Sequence, residues 1–461
     1  MPVVSAGAAL AESLFRSAVA GADPGEATAQ AVAGIPTARH QRLWLFAIGK
    51  AAHPMAAAAV ATLQRSLLNI AGGLIVAPDD APSPNAAVIA VRGDHPVPGR
   101  HSFAAAARLA DVAAGMKSHD LAVVLISGGA SSLIGAPMRG MSEADFSHLY
   151  EMLLNSGLDI RETNAVRKRF SRWGGGRLAL ALAPASTHCL AVSDVVGDDV
   201  SSVGSGPCAP DPFKVAEVIE ILQRSKLYQR LAPSFREHLA GTQRGLVPET
   251  PKKSHPAFAH VTARVIVNNR VALDAAMAAA RAQGVQQVTV ADVTLQGEAA
   301  DAGAALARAL IERRAQAGGQ ASVLLCGGET TVAIPHTALT PGLRARSESG
   351  AMPPAPQPMG GRCQELALAA ARVLSEAGDA ARGITLLAAG TDGRDGPTDA
   401  AGACVDANTW NAIREAGRDP AAALAAHESY AALDAAGALL RTGLTGTNVA
   451  DIVIGCIAAS A

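Results

Sequence analysis

The sequence predicts an α/β protein of two domains, each with a mainly parallel sheet flanked by helices. Short apolar segments ending in glycine recur, and each is followed by an alanine-rich helical stretch. They are LWLFAIGKAA (43–52), LAVVLISGGASS (121–132), HCLAVSDVVGDD (188–199), SVLLCGGETT (322–331) and ITLLAAGTDGRDG (384–396). Continuous apolar runs of this length are what a parallel strand buried on both faces requires. Two of these units, near 123 and 322, are alike and lie about 200 residues apart, which gives each domain its own sheet. A chain of 461 residues is long enough for two such domains.

The expected domains are 1–245, Rossmann-like, and 258–461. The linker lies in GTQRGLVPETPKKSHPAFAH (241–260), which is rich in turn formers and charge and has no periodicity. The stretch 339–361 holds five prolines and reads as a long surface loop, functional or mobile.

Composition excludes several classes. The chain is 49% apolar, 17% charged and 3% aromatic, and its 39 basic against 40 acidic residues leave a net charge of −1. A nucleic-acid binder would show a basic excess. The six cysteines (189, 208, 326, 363, 404 and 456) form no Cys-x-x-Cys pair. No His or Cys cluster has metal-ligand spacing, so a zinc site or disulfide framework is not expected and a reducing compartment is. The N-terminal segment, interrupted by Glu12 and Arg16, reads as an amphipathic helix rather than a signal peptide. No apolar run approaches the roughly 18 residues of a membrane span. These features point to a cytoplasmic protein with no membrane partner. Only seven lysines occur, so one inside a glycine turn is informative.

Ligands of α/β sheets bind outside the C-terminal ends of the strands, and the unusual residues gather there. Lys50 follows the first strand and opens a helix, whose N-terminus attracts phosphate or carboxylate. Ser127, Gly128, Gly129, Ala130, Ser131 and Ser132 form a turn whose amides can nest an anion. Asn164–Lys168 and Gly174–Arg177 form a basic helical segment ending in glycines. Gly174-x-Gly176-x-x-Ala179 follows a charged helix rather than a strand, so it is no dinucleotide fingerprint. Asp194 sits at a strand tip, suited to take a hydroxyl proton or hold Mg²⁺. Asp198 and Asp199 read as caps. Gly327, Gly328 and Glu329 form a second Gly-Gly turn. Arg362, after two glycines at a helix start, suits a bidentate grip on an oxyanion. Asp392 and Asp395 lie in a Gly/Asp-dense turn that can orient a substrate or cation, or simply be tight. His95, in GDHPVPG, fixes a turn before Pro96, and no Ser–His–Asp triad is expected.

Together the segments AIGKAA, GDHPVPG, LISGGASSL, NAVRK with GGRLA, VSDVVGDD with GSGP, CGGETT, GGRCQE, GTDGRDGPTDAAGA and TGTNV resemble the glycerate 2-kinase family, whose C-terminal half is the MOFRL domain. The match runs in family order from about 46 to 449. The resemblance implies two α/β domains with the active site in the cleft between them. It implies ATP- and Mg²⁺-dependent phosphorylation of D-glycerate at its 2-hydroxyl, giving 2-phosphoglycerate. It also implicates Lys50 and Arg362 as the functional pair, in catalysis and substrate binding.

On this reading Asp194 is a general base or a Mg²⁺ contact. Ser127, Gly128, Gly129, Ser131 and Ser132, with Gly327, Gly328 and Glu329, face the nucleotide, although the first turn could hold the substrate carboxylate instead. Asp392 and Asp395 face the substrate. A homo-oligomer is compatible with all of this. Three positions depart from the family: Cys363 where Asn is usual, Leu444 where Pro is usual, and a lengthened link from Glu329 to Arg362. Relatives described as hydroxypyruvate reductases make a NAD(P)H-dependent enzyme the main rival. The sequence lacks a strand-linked G-x-G-x-x-G and an acidic residue about 20 positions beyond it. A non-catalytic nucleotide or metabolite sensor is a third reading.

Overall fold

A computed structural model describes residues 5–38, 41–316, 318–333 and 359–459. The chain forms two compact units. The N unit comprises Asp23–Asn268 with Gly446–Val449; the C unit comprises Met1–Ala22, Asn269–Thr445 and Ala450–Ala461.

The N unit is built on β1 (Leu43–Ile48), β2 (Ile70–Ala77), β3 (Val88–Arg92), β4 (Leu121–Ile126), β5 (Ser186–Val192) and β6 (Val261–Val267). Their order is β3-β2-β1-β4-β5-β6, and every pairing is parallel. All six residues of β4 are buried, as its unbroken apolar run requires at the sheet centre. The edge strand β6 instead alternates exposed and half-buried positions over most of its length. The strand order turns back between β1 and β4, so the crevice at a switch point lies beyond Ile48 and Ile126, which pair directly. Behind the sheet, helices Glu143–Leu154, Ile160–Phe170, Val215–Arg224 and Pro233–Gln243 close their own apolar cluster. At its centre the rings of Phe170 and Phe235 are 4.7 Å apart.

The C unit contains β7 (Gln287–Val290), β8 (Ser322–Gly328), β9 (Ile384–Gly390), β10 (Gly402–Asp406), β11 (Leu439–Leu440) and β12 (Asp451–Ile457), in the order β11-β10-β9-β12-β8-β7. Here the expectation of a mainly parallel sheet is corrected. Only β7–β8 is parallel; the other four pairings are antiparallel. Residues 391–401, which join β9 to β10, contain no helix to carry a crossover, so the chain returns antiparallel. β12 enters between β8 and β9 and is buried at all seven positions. Its apolar run reports burial on both faces, which fixes no direction.

The division of the chain also differs from the expected one. It falls at Asn268/Asn269, after β6, instead of within 245–258. The stretch 241–260 is tied into the N unit by charge. Thr250 Oγ1 donates to Asp211 Oδ2 at 2.8 Å, Lys252 Nζ donates to Asp211 O at 3.1 Å, and Arg169 pairs with Glu249 at 2.5 Å. Helix Ala6–Gly21 packs on helix Asn269–Ala282 and on β9 and β12, and so joins the C unit. The proline-rich segment 339–358 lies outside the described residues. Among the described residues no helix is long and apolar enough to cross a membrane.

Candidate active site

In the N unit the ends of β1 and β4 are locked together. Lys50 N donates to Gly128 O at 2.9 Å, Ala51 N donates to Ser127 Oγ at 3.0 Å, and Ser127 N donates to Ile48 O at 3.0 Å. Ser132 Oγ turns back and donates to Gly129 O at 3.0 Å. The hydroxyls of Ser127 and Ser132 therefore hold the turn's shape. The amides of Gly128, Gly129 and Ser131 donate to no protein acceptor among the described residues. Three unengaged donors at one turn form an anion nest.

Side chains converge on that nest. A β-carbon at Gly129 would stand 2.9 Å from His95 Cδ2 and 3.6 Å from Lys50 Cγ, so both side chains lie over the turn. A β-carbon at Gly128 would collide with Asp194 Oδ2, which accepts from Asn448 Nδ2 at 3.3 Å. The structure thus brings together Lys50, the 127–132 turn and Asp194, and adds His95 and Asn448. The residue before His95 is anchored to the next helix. Asp94 accepts from the amide of His101 at 2.8 Å and contacts His101 Nδ1 at 2.8 Å. Burial works against the Asp94 charge, yet His101 and the local amides hold its pKa below the usual carboxylate range. A cavity of about 200 Å³ lined by His53, Asp79, Asp80, Pro82 and Ala90 lies at the neighbouring ends of β2 and β3.

Asp198, Asp199 and Arg177 make contacts within the fold. Asp199 accepts from Ser201 N at 2.9 Å and Ser201 Oγ at 2.6 Å, a capping role as expected. Asp198 accepts from Asn268 Nδ2 at 2.5 Å, which is not a cap. Arg177 Nη1 donates to the carbonyls of Lys168 and Ser171 at 2.6 and 3.0 Å, closing the end of helix Ile160–Phe170.

The C unit presents a different chemistry. Arg362 opens helix Arg362–Glu376; its Nη1 donates to Glu329 and its Nη2 to Asp451 Oδ1 at 3.2 Å. Asp395 accepts from the amides of Cys363 and Gln364 at 3.2 and 2.8 Å, satisfying the helix N-terminus. Burial raises Asp395 to about 6 despite those donors. Burial likewise raises Asp451 to about 7, aided by the charges of Glu329 and Asp395 and opposed by Arg362. The acidic partners in turn hold the Arg362 guanidinium well above its ordinary pKa, although its own burial opposes this. Asp451 Oδ2 is buried without a hydrogen bond among the described residues.

Gly327 and Gly328 are the last residues of β8 and pair with Ile452 and Asp451, so the expected second turn is strand. Asp392 Oδ1 accepts from Arg394 N at 3.1 Å, the geometry of an Asx turn. Asp451 escaped the sequence reading. Its signal is a carboxylate that opens an otherwise wholly apolar strand, DIVIGCIA. Among the described residues no three His, Cys, Asp or Glu side chains are grouped to hold a metal ion.

A domain of unknown function (DUF4147) matches residues 10–240, and the MOFRL family matches residues 322–451. A Pyrococcus horikoshii protein named glycerate 2-kinase is 33% identical, over 90% of this chain and 87% of its own length. An Agrobacterium vitis protein, provisionally named a hydroxypyruvate reductase, is 36% identical over 95% and 92%. The crystal structure of a Thermotoga maritima glycerate kinase superposes with a TM-score of 0.78 at 32% identity, covering 97% of this chain and 99% of that one. The chain belongs to the glycerate 2-kinase family, with a DUF4147 half and a MOFRL half.

Proposed function

We propose that the protein transfers the γ-phosphoryl group of ATP to the 2-hydroxyl of D-glycerate, forming 2-phosphoglycerate and ADP. The observation that carries this reading is the donor-rich turn at the β1/β4 switch point, where three unengaged amides sit under Lys50. Phosphoryl transfer asks a protein mainly for positioning and for positive charge around the transferring oxygens. Lys50 and the amides of Gly128, Gly129 and Ser131 hold phosphate oxygens, and the cavity beside His53 and Asp79 takes the nucleoside. Asp194 accepts the proton of the 2-hydroxyl as its oxygen attacks the γ-phosphorus and the bond to the β-phosphate oxygen breaks. Arg362, aimed by Glu329 and Asp451, grips the acceptor. Asp392 is assigned to the substrate, and Asp395 fixes the helix that carries the arginine.

One carboxylate with the donor's own phosphates is a normal ligand set for Mg²⁺, and Asp194 fits that role. Bound there, Mg²⁺ would neutralise charge on the phosphates. The names of the P. horikoshii and T. maritima relatives support the same reading.

The test is direct. Purified protein is incubated with D-glycerate, ATP and Mg²⁺, and separately with hydroxypyruvate and NADH or NADPH. ADP and 2-phosphoglycerate in equal amounts are expected from the first mixture. Oxidation of the nicotinamide without ADP formation would replace the kinase by the reductase.

A further inference from the structure

The basic run Arg167-Lys168-Arg169 contains a cation that has no counterion among the described residues. Lys168 is buried and lies 3.6 Å from Asp211; Arg169 is buried and pairs with Glu249 at 2.5 Å. Arg177, nearby, is absorbed by carbonyls. Arg167 is treated differently. Its Nε is fully buried with no hydrogen-bond partner among the described residues, while the side chain as a whole is half-buried. Burial lowers its pKa, and the one charge-bearing neighbour that acts on it is the phenol of Tyr150; no carboxylate offsets the loss. Buried charges are normally paired, because desolvating an unpaired one is expensive.

Its surroundings say what is missing. The guanidinium lies over the Tyr150 ring, with Cζ 4.6 Å from the centroid. Tyr150 is itself fully buried, and its hydroxyl is 2.8 Å from Ser131 Oγ and donates to Ser131 O at 3.1 Å. Ser205 Oγ continues the chain, 2.9 Å from Ser131 Oγ and 3.1 Å from Asn164 Oδ1. One stacked ring therefore separates the unpaired cation from the turn whose three amides are unengaged. A planar fork with no acid of its own, next to a nest of amide donors, suits an external oxyanion.

We propose that Arg167 binds an oxyanion held at the Gly128–Ser131 turn, the carboxylate of the acceptor or a phosphate of the donor. The site deepens the kinase reading, which alone decides between those two sources. Binding is measured by calorimetry on the full chain, with D-glycerate and with inorganic phosphate as separate probes, for the wild type, Arg167→Lys and Arg167→Gln. Steady-state KM values for D-glycerate and ATP are measured beside them.

Arg167→Gln is expected to weaken one probe by about 10- to 100-fold, the worth of a hydrogen bond to a charged group. Arg167→Lys should recover part of that loss. The KM should rise for the same ligand with a smaller change in kcat. A rise for D-glycerate identifies the carboxylate, and a rise for ATP the phosphate. Unchanged affinity for both probes overturns the proposal.

The wild type offers a measurement that no variant can spoil. An arginine-specific dicarbonyl should modify Arg167, read by peptide mass, and D-glycerate or phosphate should shield it; absence of shielding also overturns the site. A wild type that binds the anion but never turns over would sink the kinase reading and leave this one standing.

Discussion

The two units solve opposite electrostatic problems. The candidate site of the N unit is built from donors: backbone amides, Lys50, His95 and Arg167, with Asp194 as the carboxylate nearest the turn. That of the C unit is built from acids, with Glu329, Asp395 and Asp451 gathered around one arginine. Backbone amides cannot ionise or swing away, so the first site is permanently arranged to receive negative charge. Carboxylates crowded out of water share charge and protons, so the second responds to pH and to the loss of any member. One architecture, a strand tip meeting a helix start, thus yields an anion cradle in one case and a tuned acid cluster in the other.

Removing the cation of each site tests that contrast most severely. Lys50→Ala and Arg362→Ala should each lower turnover by about 10²- to 10³-fold if both groups stabilise transferring charge. Their effects on folding should differ. Lys50 is exposed, so its variant should melt like the wild type. Arg362→Ala leaves Asp451 and Asp395 without their cation and should melt several degrees lower. Equal melting temperatures for the two variants would break the comparison.

The glycines give the next largest effects. An added β-carbon at Gly361 would strike the Asp395 carboxylate, which two helix amides hold in place. Gly361→Ala should therefore cost about 1–3 kcal/mol of stability, measured by denaturant titration. At Gly128 the same atom meets Asp194 Oδ2, the end of a side chain that can rotate. Gly128→Ala should leave stability closer to wild type and reduce turnover instead.

A smaller and more specific signature is pH dependence. Asp451 is raised to about 7, so the native state binds its proton more tightly than the unfolded chain. That contribution is fully present below about pH 4 and is lost as pH rises through about 7. Wild-type stability should fall across this window by up to about 4 kcal/mol from this group. Asp395, raised to about 6, adds the same sign over a narrower range. Asp451→Asn should flatten the profile above pH 6 and keep the Asp395 part. A slope unchanged by the substitution would show that Asp451 does not titrate there.

Much of this was legible in the chain. The strand tips at Lys50 and Ser127 announce themselves because a glycine at the end of an apolar run has a local cause. The second sheet's direction was not legible, because β12 is as apolar as any parallel strand and only its partners determine how it runs. The helix Ala6–Gly21 shows an apolar stripe without showing which body covers it. His95 was read as a turn former since its partner, Gly129, is distant in sequence and the contact is purely tertiary. Asp451 was overlooked because a single acid in an apolar run carries no period.

The mildest change probes Cys363, beside the acid cluster of the C unit. Cys363, where the resemblance implies Asn, is buried against Asp451, and burial pushes its thiol pKa well above the ordinary value. A thiol is a weak donor, and Asp451 Oδ2 is left without a hydrogen bond. The amide of an asparagine could supply one, and a hydrogen bond to the charged form lowers a carboxylate's pKa. Cys363→Asn should therefore move the pH midpoint of the stability profile to the acid side by about one unit. Turnover at neutral pH should change only a few-fold, because Arg362 keeps both of its carboxylate partners. A midpoint that stays put, or moves to the alkaline side, would mean that Asp451 is tuned by burial alone.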